Sequence, residues 1–269
     1  MMLWDEIIEK SQERNEEPHQ TFREEIQKTI LTILSHQQLF NQIVFQGGTA
    51  LRLFYGNPRL SEDLDFVQIN KEEKTDLTPH IPRIKTNLQT IYPFLDDIKI
   101  RMQRKNREIQ RIVLTTISDT IDQRIRVYIE LAYIPSYYNK PRILHYPPFN
   151  PVVRVEEKEE ILVDKIIAIV NRPYIKGRDL WDINFLTEDK EETIYPKDLL
   201  IRKLRDYKLS TIEFNKKNTL RIKEIRSKGI ETLSEEMHRF LPKHVFDQYG
   251  DYFPEMIEKI TEILEGIKL

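Results

Sequence analysis

Asp63 and Asp65 stand two residues apart in Leu60-Ser-Glu-Asp-Leu-Asp-Phe-Val67, within an apolar run. In a strand, residues i and i+2 project from the same face, so both carboxylates leave one side together. Two parallel carboxylates raise each other's pKa unless a cation lies between them. A hard divalent ion resolves the repulsion. Mg²⁺ (or Mn²⁺) suits the task, since it takes one or two protein carboxylates together with substrate phosphates. A complementary feature lies just upstream. The chain has 7 glycines in 269 residues, and Gly47 and Gly48 are adjacent. Ile43-Val44-Phe45 leads into the pair, and Ala50, Leu51, Leu53 and Phe54 follow at helical spacing, which predicts strand, tight turn and short helix. A glycine pair at a helix N-terminus offers backbone N–H groups and the positive end of the helix dipole to a phosphate. Thr49 adds a hydroxyl. A phosphate cradle and a metal dyad joined by one short helix is the layout that nucleotidyl transfer from an NTP needs. Arg52 and Arg59 are further candidates for phosphate contact, with ordinary surface arginine as the default. Ser61 has two readings, a triphosphate contact or a cap of the strand turn.

The elements that must position these groups can be read on both sides. Residues 2–14 and 21–38 have the apolar spacing of amphipathic helices, with Thr21 and Glu24 as a capping box for the second. Residues 75–95 predict another helix, its start blurred by Pro79 and Pro82. Three strand-like runs follow, at 98–103, 112–117 and 125–133, the last two resembling a hairpin. In the third run Arg126, Tyr128 and Glu130 alternate with Val127, Ile129 and Leu131, so Glu130 projects from a defined face of an apolar strand. Residues 134–151 are rich in Pro and Tyr and form the best linker candidate, with a last short strand at 152–155.

A second stretch, Glu159 to Ile183, carries Lys165 at the edge of a buried helical face formed by Ile161, Leu162, Ile166 and Ile169. A lysine there must snorkel or find an anion. A second helix starts near Arg178. Asp179 and Asp182 lie at i and i+3, and Arg178 and Asp182 at i and i+4, so the three can share one face. A salt-bridge network locking two helices accounts for this pattern as well as a functional site does. The remainder reads as helices at about 196–208, 212–228, 231–240 and 252–267. Basic residues cluster between Arg101 and Arg111 and again between Lys216 and Lys228. Solvated faces are the default for both, and they are the places to look for phosphate contacts if the substrate is RNA.

Gly-Gly-Thr at 47–49 followed by Arg59-Leu-Ser-Glu-Asp-Leu-Asp-Phe66 resembles the first motif of the DNA polymerase β-like nucleotidyltransferase superfamily. In detail it is similar to the AbiEii/MenT branch, the toxins of AbiE-type toxin–antitoxin and phage-defence systems, whose signature is GG(S/T), a spacer and D-x-D. The spacer here, from Gly48 to Asp63, is 14 residues. The resemblance implies an α+β chain: an N-terminal polymerase β-like domain with a mixed sheet flanked by helices at 1–150, and a C-terminal helical domain at 151–269 that contributes Lys165 and Asp182 to the site. It makes Gly47, Gly48 and Thr49 the binders of the NTP phosphates, with Ser61 and Arg52 as further contacts. It gives the metal to Asp63 and Asp65, with Glu130 as a third carboxylate. The alternative for Glu130 is an exposed strand position. Lys165 would contact nucleotide phosphates, and Asp182 or Asp179 would act as a base or orient Lys165. A serine placed like Ser61 is, in some toxins of this branch, phosphorylated by the antitoxin. The implied activity is growth-inhibiting transfer of NMP to RNA, at tRNA 3′ ends, with a separately encoded antitoxin as partner. Small-molecule or protein hydroxyl acceptors are alternatives, since fold does not fix substrate.

Composition removes other classes. The absence of cysteine excludes disulfides, thiolate catalysis and zinc–thiolate sites and suits a cytoplasmic setting. Net charge is −2 with 32% charged residues, which suggests neither disorder nor a strongly basic protein. No apolar run approaches the roughly 20 residues of a membrane span, and the N-terminus lacks the basic region of a signal peptide. The six histidines fall in no hydrolase motif, and neither kinase nor Walker glycine signatures occur. A non-catalytic nucleotide-binding module is the rival from another class, and it leaves the Asp63–Asp65 pair unexplained.

Overall fold

The computed structural model describes residues 1–72, 74–188 and 195–269. Two compact units are present, one of Met1–Gly56 with Leu60–Glu156, the other of Asn57–Arg59 with Glu157–Leu269.

The first unit begins with α1 (Trp4–Arg14) and α2 (Pro18–His36), then β1 (Ile43–Gln46), α3 (Gly47–Tyr55), β2 (Asp63–Gln68) and α4 (Ile81–Ile91). β3 (Asp97–Lys105), β4 (Ile109–Ile117), β5 (Arg126–Pro135), β6 (Asn139–Ile143) and β7 (Val152–Glu156) complete it. The seven strands form one sheet in the order β3-β4-β5-β2-β1-β7-β6. β2 runs parallel to β5 and β1 parallel to β7, and the other pairs are antiparallel. This is the expected mixed sheet. Strand alternation sorts its residues. Ile98, Ile112, Leu114, Val127, Ile129, Leu64 and Phe66 enter one core with Ile26 and Ile30 of α2 and Ile84 and Leu88 of α4. Asp63, Asp65, Tyr128 and Glu130 are left on the opposite face, half-buried.

Three local expectations are corrected. α2 starts at Pro18, so Thr21 and Glu24 are interior and form no capping box. Pro suits that first position because its missing N–H would be unpaired there anyway. The predicted helix at 75–95 is a 3₁₀ turn, Thr78–His80, followed by the shorter α4. The proposed linker at 134–151 contains the end of β5 and all of β6. Pro141 in β6 is misleading, because β6 is one of the two outer strands of the sheet, where a missing donor is tolerated.

The second unit is helical: α5 (Lys158–Asn171), α6 (Gly177–Thr187), α7 (Lys197–Asp206), α8 (Thr211–Phe240), α9 (Lys243–Tyr249) and α10 (Phe253–Gly266). Two predicted helices at 212–228 and 231–240 are one, α8. Gly229 sits inside it, where an added Cβ would lie 2.9 Å from Ile257 Cδ1. The glycine permits close packing against α10 and stops nothing. Helix α9 had no sequence expectation. Lys203 of α7 is fully buried between Glu160 Oε1 at 2.5 Å and Asp164 Oδ2 at 2.9 Å. No helix among the described residues is long and apolar enough to cross a membrane.

Candidate active site

In the first unit, β1 delivers the chain to Gly47, which opens α3 with φ +80°. An L side chain adopts that left-handed region only at about 1–2 kcal/mol. Space demands glycine as well. A Cβ there would fall 2.7 Å from Asp65 Oδ2 and 3.2 Å from Asp65 Cβ. The backbone of the predicted phosphate cradle therefore touches the predicted metal carboxylate. The Thr49 side chain, which was expected to face a phosphate, donates instead to the Asp63 carbonyl. It ties α3 to the start of β2.

Strand register assembles the carboxylates. Asp65 pairs with Glu130 and Asp63 with Tyr128 across β2 and β5. Gln46 of β1 pairs with Asp65 on the other side. Asp63, Asp65 and Glu130 thus share one face on adjacent strands, spaced about 4.8 Å apart. Glu130 is the predicted third carboxylate, and its neighbour on β4 is Arg111. Arg111 Nε donates to Glu130 Oε2 at 2.5 Å, and its Nη2 approaches the same oxygen. The set contains only carboxylate oxygens, with no nitrogen or sulfur ligand, and two strands hold it with α3 backing Asp65. By donor type the set suits a hard divalent ion, but the register brings the three carboxylates to one face without converging their oxygens to within 4.8 Å of one another, and Glu130 is held by Arg111.

Arg52 of α3 is engaged elsewhere. It pairs with Glu24 through Nε and with Glu16 through Nη2 at 2.6 Å. Burial alone would raise the Glu24 pKa, but the Arg52 guanidinium and the Lys28 ammonium outweigh it and bring it down to about 2. Arg52 thus clasps α3 to α2 and the α1–α2 turn. Gly48 is buried. Ser61 is half-buried, with its carbonyl held by Gln27 Nε2 at 3.1 Å.

The second unit gathers the other predicted residues. Lys165 Nζ lies 2.7 Å from Asp182 Oδ2 and 3.0 Å from Asp179 Oδ1. Both aspartates hold the lysine. Asp182 is fully buried and saturated. Its Oδ1 accepts from Arg59 Nε at 2.8 Å and Asn57 Nδ2 at 3.0 Å, and its Oδ2 from Arg59 Nη2 at 2.7 Å. Trp181 Nε1 donates to Asn57 Oδ1 at 2.9 Å. Burial opposes ionisation of Asp182, but Arg59 and Lys165 overcome it and hold the carboxyl far below the usual range. Burial likewise opposes the Lys165 charge, and Asp182 and Asp179 overcome it and raise its pKa. Arg59 is therefore neither a surface arginine nor exposed to a phosphate. Its burial is 2% exposure, opposite a carboxylate. Arg178, expected to reach Asp182, turns to Glu236 and the Phe240 ring. Arg172 takes the other oxygen of Asp179.

Sequence reasoning missed Asn57, Arg172 and the part played by Arg111. The hairpin register of β4 and β5 would have revealed Arg111 opposite Glu130. Asn57 and Arg172 carried no local signal.

A family model described as "Nucleotidyl transferase AbiEii toxin, Type IV TA system" matches residues 29–261. Among solved structures, JHP933 from Helicobacter pylori is similar at 20% identity and a TM-score of 0.53, covering 91% of this chain and 93% of that one. MenT4, a nucleotidyltransferase toxin from Mycobacterium tuberculosis H37Rv, is similar at 20% identity and a TM-score of 0.53, covering 72% of this chain and 68% of that one. Both likenesses concern the fold. No curated protein matches the chain by sequence.

Proposed function

The chain belongs to the AbiEii nucleotidyltransferase toxin family of type IV toxin–antitoxin systems, and from that premise we propose that it transfers NMP from an NTP to a hydroxyl of RNA, at a tRNA 3′ end, with Mg²⁺. Asp63 and Asp65, with Glu130, would hold the ion, which would supply charge neutralisation for the triphosphate and for the acceptor hydroxyl. The backbone N–H groups at the start of α3 take the triphosphate, with the helix dipole behind them. Thr49 fixes this cradle to β2. Arg111 orients the Glu130 carboxylate.

On the family resemblance Lys165 would contact nucleotide phosphate, and the two aspartates keep its ammonium protonated. Asp182 is a positioning residue. With four donors on its two oxygens and a strongly depressed pKa, it has no capacity to accept a proton near neutrality. The family implies an antitoxin that neutralises the activity.

The observation that carries this reading is the register of Asp65 with Glu130 together with the contact of Gly47 on Asp65. The test is incorporation of each α-³²P-labelled NTP into total tRNA with Mg²⁺, comparing wild type with Asp63→Ala/Asp65→Ala. Labelled tRNA with wild type only is the expected result. Wild type that binds no Mg²⁺–NTP overturns the reading. Wild type that binds nucleotide but labels no RNA moves the acceptor to another hydroxyl.

A further inference from the structure

The sheet face that carries the dyad does not end at Glu130. Following the register outward from β2, Asp65 is paired with Glu130, Glu130 with Arg111, and Arg111 with Arg104 on the outer strand β3. The next row runs Asp63, Tyr128, Val113, Arg101. The row beyond joins Arg126, Thr115 and Lys99. Directly paired residues share a face, so Lys99, Arg101, Arg104, Arg111 and Arg126 all stand on the side of the sheet that bears Asp63 and Asp65. Lys99, Arg101, Arg104 and Arg126 are exposed.

A backbone irregularity contributes one of these cations. The register shifts between Met102 and Arg104, leaving Gln103 as the extra residue. Strict alternation from Arg101 would put Gln103 on this face and Arg104 on the helix-covered one. The bulge re-aims Arg104 to stand opposite Arg111. Beyond it, Lys105 points to the other side and pairs with Asp76 at 2.9 Å. Among the described residues Arg111 is ion-paired with Glu130, and Lys99 has Asp97 as a coulombic neighbour. Arg101, Arg104 and Arg126 form no ion pair with any carboxylate among the described residues. Arginine side chains crowded on neighbouring strands repel one another, and an anion is what compensates them.

We infer that this face is the track for the acceptor strand, a single-stranded RNA end whose phosphates lie along Arg126, Arg101 and Arg104 and whose terminal hydroxyl reaches the dyad. The inference rests on the RNA reading above and specifies where RNA binds. Three strand spacings separate β2 from β3, about 14 Å, a span of a few nucleotides. Charge complementarity selects a polyanion. The exposed cations on neighbouring strands suit a single strand, whose bases can splay and stack. Tyr128, half-buried and paired with Asp63, presents a ring beside the dyad on which the terminal base can stack.

The test compares three full-length proteins: wild type, Arg101→Ala/Arg104→Ala/Arg126→Ala, and a control, Lys216→Ala/Lys223→Ala/Lys228→Ala, which removes three exposed cations of α8. Binding of a 5′-fluorescein 12-nucleotide single-stranded RNA with a free 3′ hydroxyl is measured by anisotropy at several salt concentrations. Mg²⁺–NTP binding is measured alongside as a check that the site is intact. The expected result is RNA binding weakened by at least about tenfold in the arginine triple variant. The slope of log K against log salt should fall by about 2, from about 0.7 per lost contact on a single strand. The control should bind RNA as wild type does, and all three should bind Mg²⁺–NTP equally. In transfer assays the loss should lie in KM for RNA with kcat little changed. If wild type binds RNA and the arginine triple variant binds it equally, the track is refuted while the RNA reading stands. If wild type binds Mg²⁺–NTP but no RNA, the RNA reading and the track fall together.

Discussion

Two glycines of this chain share a backbone conformation and differ in what surrounds them, which allows the cradle to be tested with its own control. Gly47 and Gly56 both have φ +80°. Gly56 caps the C-terminus of α3, and an added Cβ there meets nothing within 4 Å. At Gly47 the same Cβ would lie 2.7 Å from Asp65 Oδ2. Replacement by alanine therefore carries the left-handed strain of about 1–2 kcal/mol at either position. Only at Gly47 must the Asp65 carboxylate also move, by about half an ångström or more to reach ordinary van der Waals contact. If Asp65 is a metal ligand as proposed, a displacement approaching about 1 Å lowers turnover by about 100-fold. Urea unfolding of Gly47→Ala and Gly56→Ala should thus give similar losses of stability. Incorporation of α-³²P NTP should fall about 100-fold or more in Gly47→Ala and stay within a few-fold of wild type in Gly56→Ala. Equal activity of the two variants would falsify the claim that Gly47 exists to let the cradle backbone lie against the dyad.

Further outcomes follow from the buried charges. Asp182→Ala leaves Arg59 without its carboxylate and Lys165 with Asp179 alone in a buried setting, and should destabilise the second unit by about 3–5 kcal/mol in chemical denaturation; a loss under 1 kcal/mol would contradict the saturated geometry. Glu24 has its pKa depressed from 4.5 to about 2, so its stabilisation is complete above about pH 4.5 and is lost as pH falls towards 2, amounting to about 3 kcal/mol. Urea midpoints measured between pH 7 and pH 3 should drop on the acid side, and Glu24→Gln should flatten that drop while lowering stability at pH 7. Arg111→Ala frees the Glu130 carboxylate from its orienting partner, and should reduce transfer about tenfold at saturating NTP and RNA while leaving the unfolding midpoint within about 0.5 kcal/mol, because the pair is partly exposed. Chelation of divalent ions with EDTA should abolish transfer, and added Mg²⁺ should restore it.

The parts of the site that could be read from sequence are those made by short-range geometry. Gly47, Gly48, Asp63 and Asp65 lie within 19 residues of each other, and the strand period alone put both carboxylates on one face. The alternation of Arg126, Tyr128 and Glu130 also predicted the right face. The unread parts depend on pairing. Nothing local says that Arg111 sits opposite Glu130, because the register of two strands is set by the core packing on their other side. The same holds for Pro141, which reads as a linker until its strand is known to lie at the outside of the sheet. The runs 212–228 and 231–240 read as two helices until Gly229 is known to pack beneath Ile257 within one.

Arg52 and Arg59 show the deeper limit. Both flank the phosphate-binding and carboxylate motifs in sequence, and a cation beside a phosphate motif invites assignment to the phosphate. A guanidinium is satisfied equally by a carboxylate, and burial decides which partner it takes. Glu24 lies 28 residues before Arg52 and Asp182 lies 123 residues after Arg59, so neither partner could be read from the neighbourhood. Each pair is buried, where an unpaired charge is far more costly than at the surface. An arginine that surrendered its carboxylate to bind a transient triphosphate would leave that carboxylate stranded between turnovers. The exposed arginines of the β3–β5 face carry no such obligation. Arg101, Arg104 and Arg126 remain hydrated when no anion is present, so they can bind and release a phosphate chain without unfolding anything. In this chain the cations nearest the motif in sequence hold the fold, and those brought to it by strand register are the ones at liberty to hold a substrate.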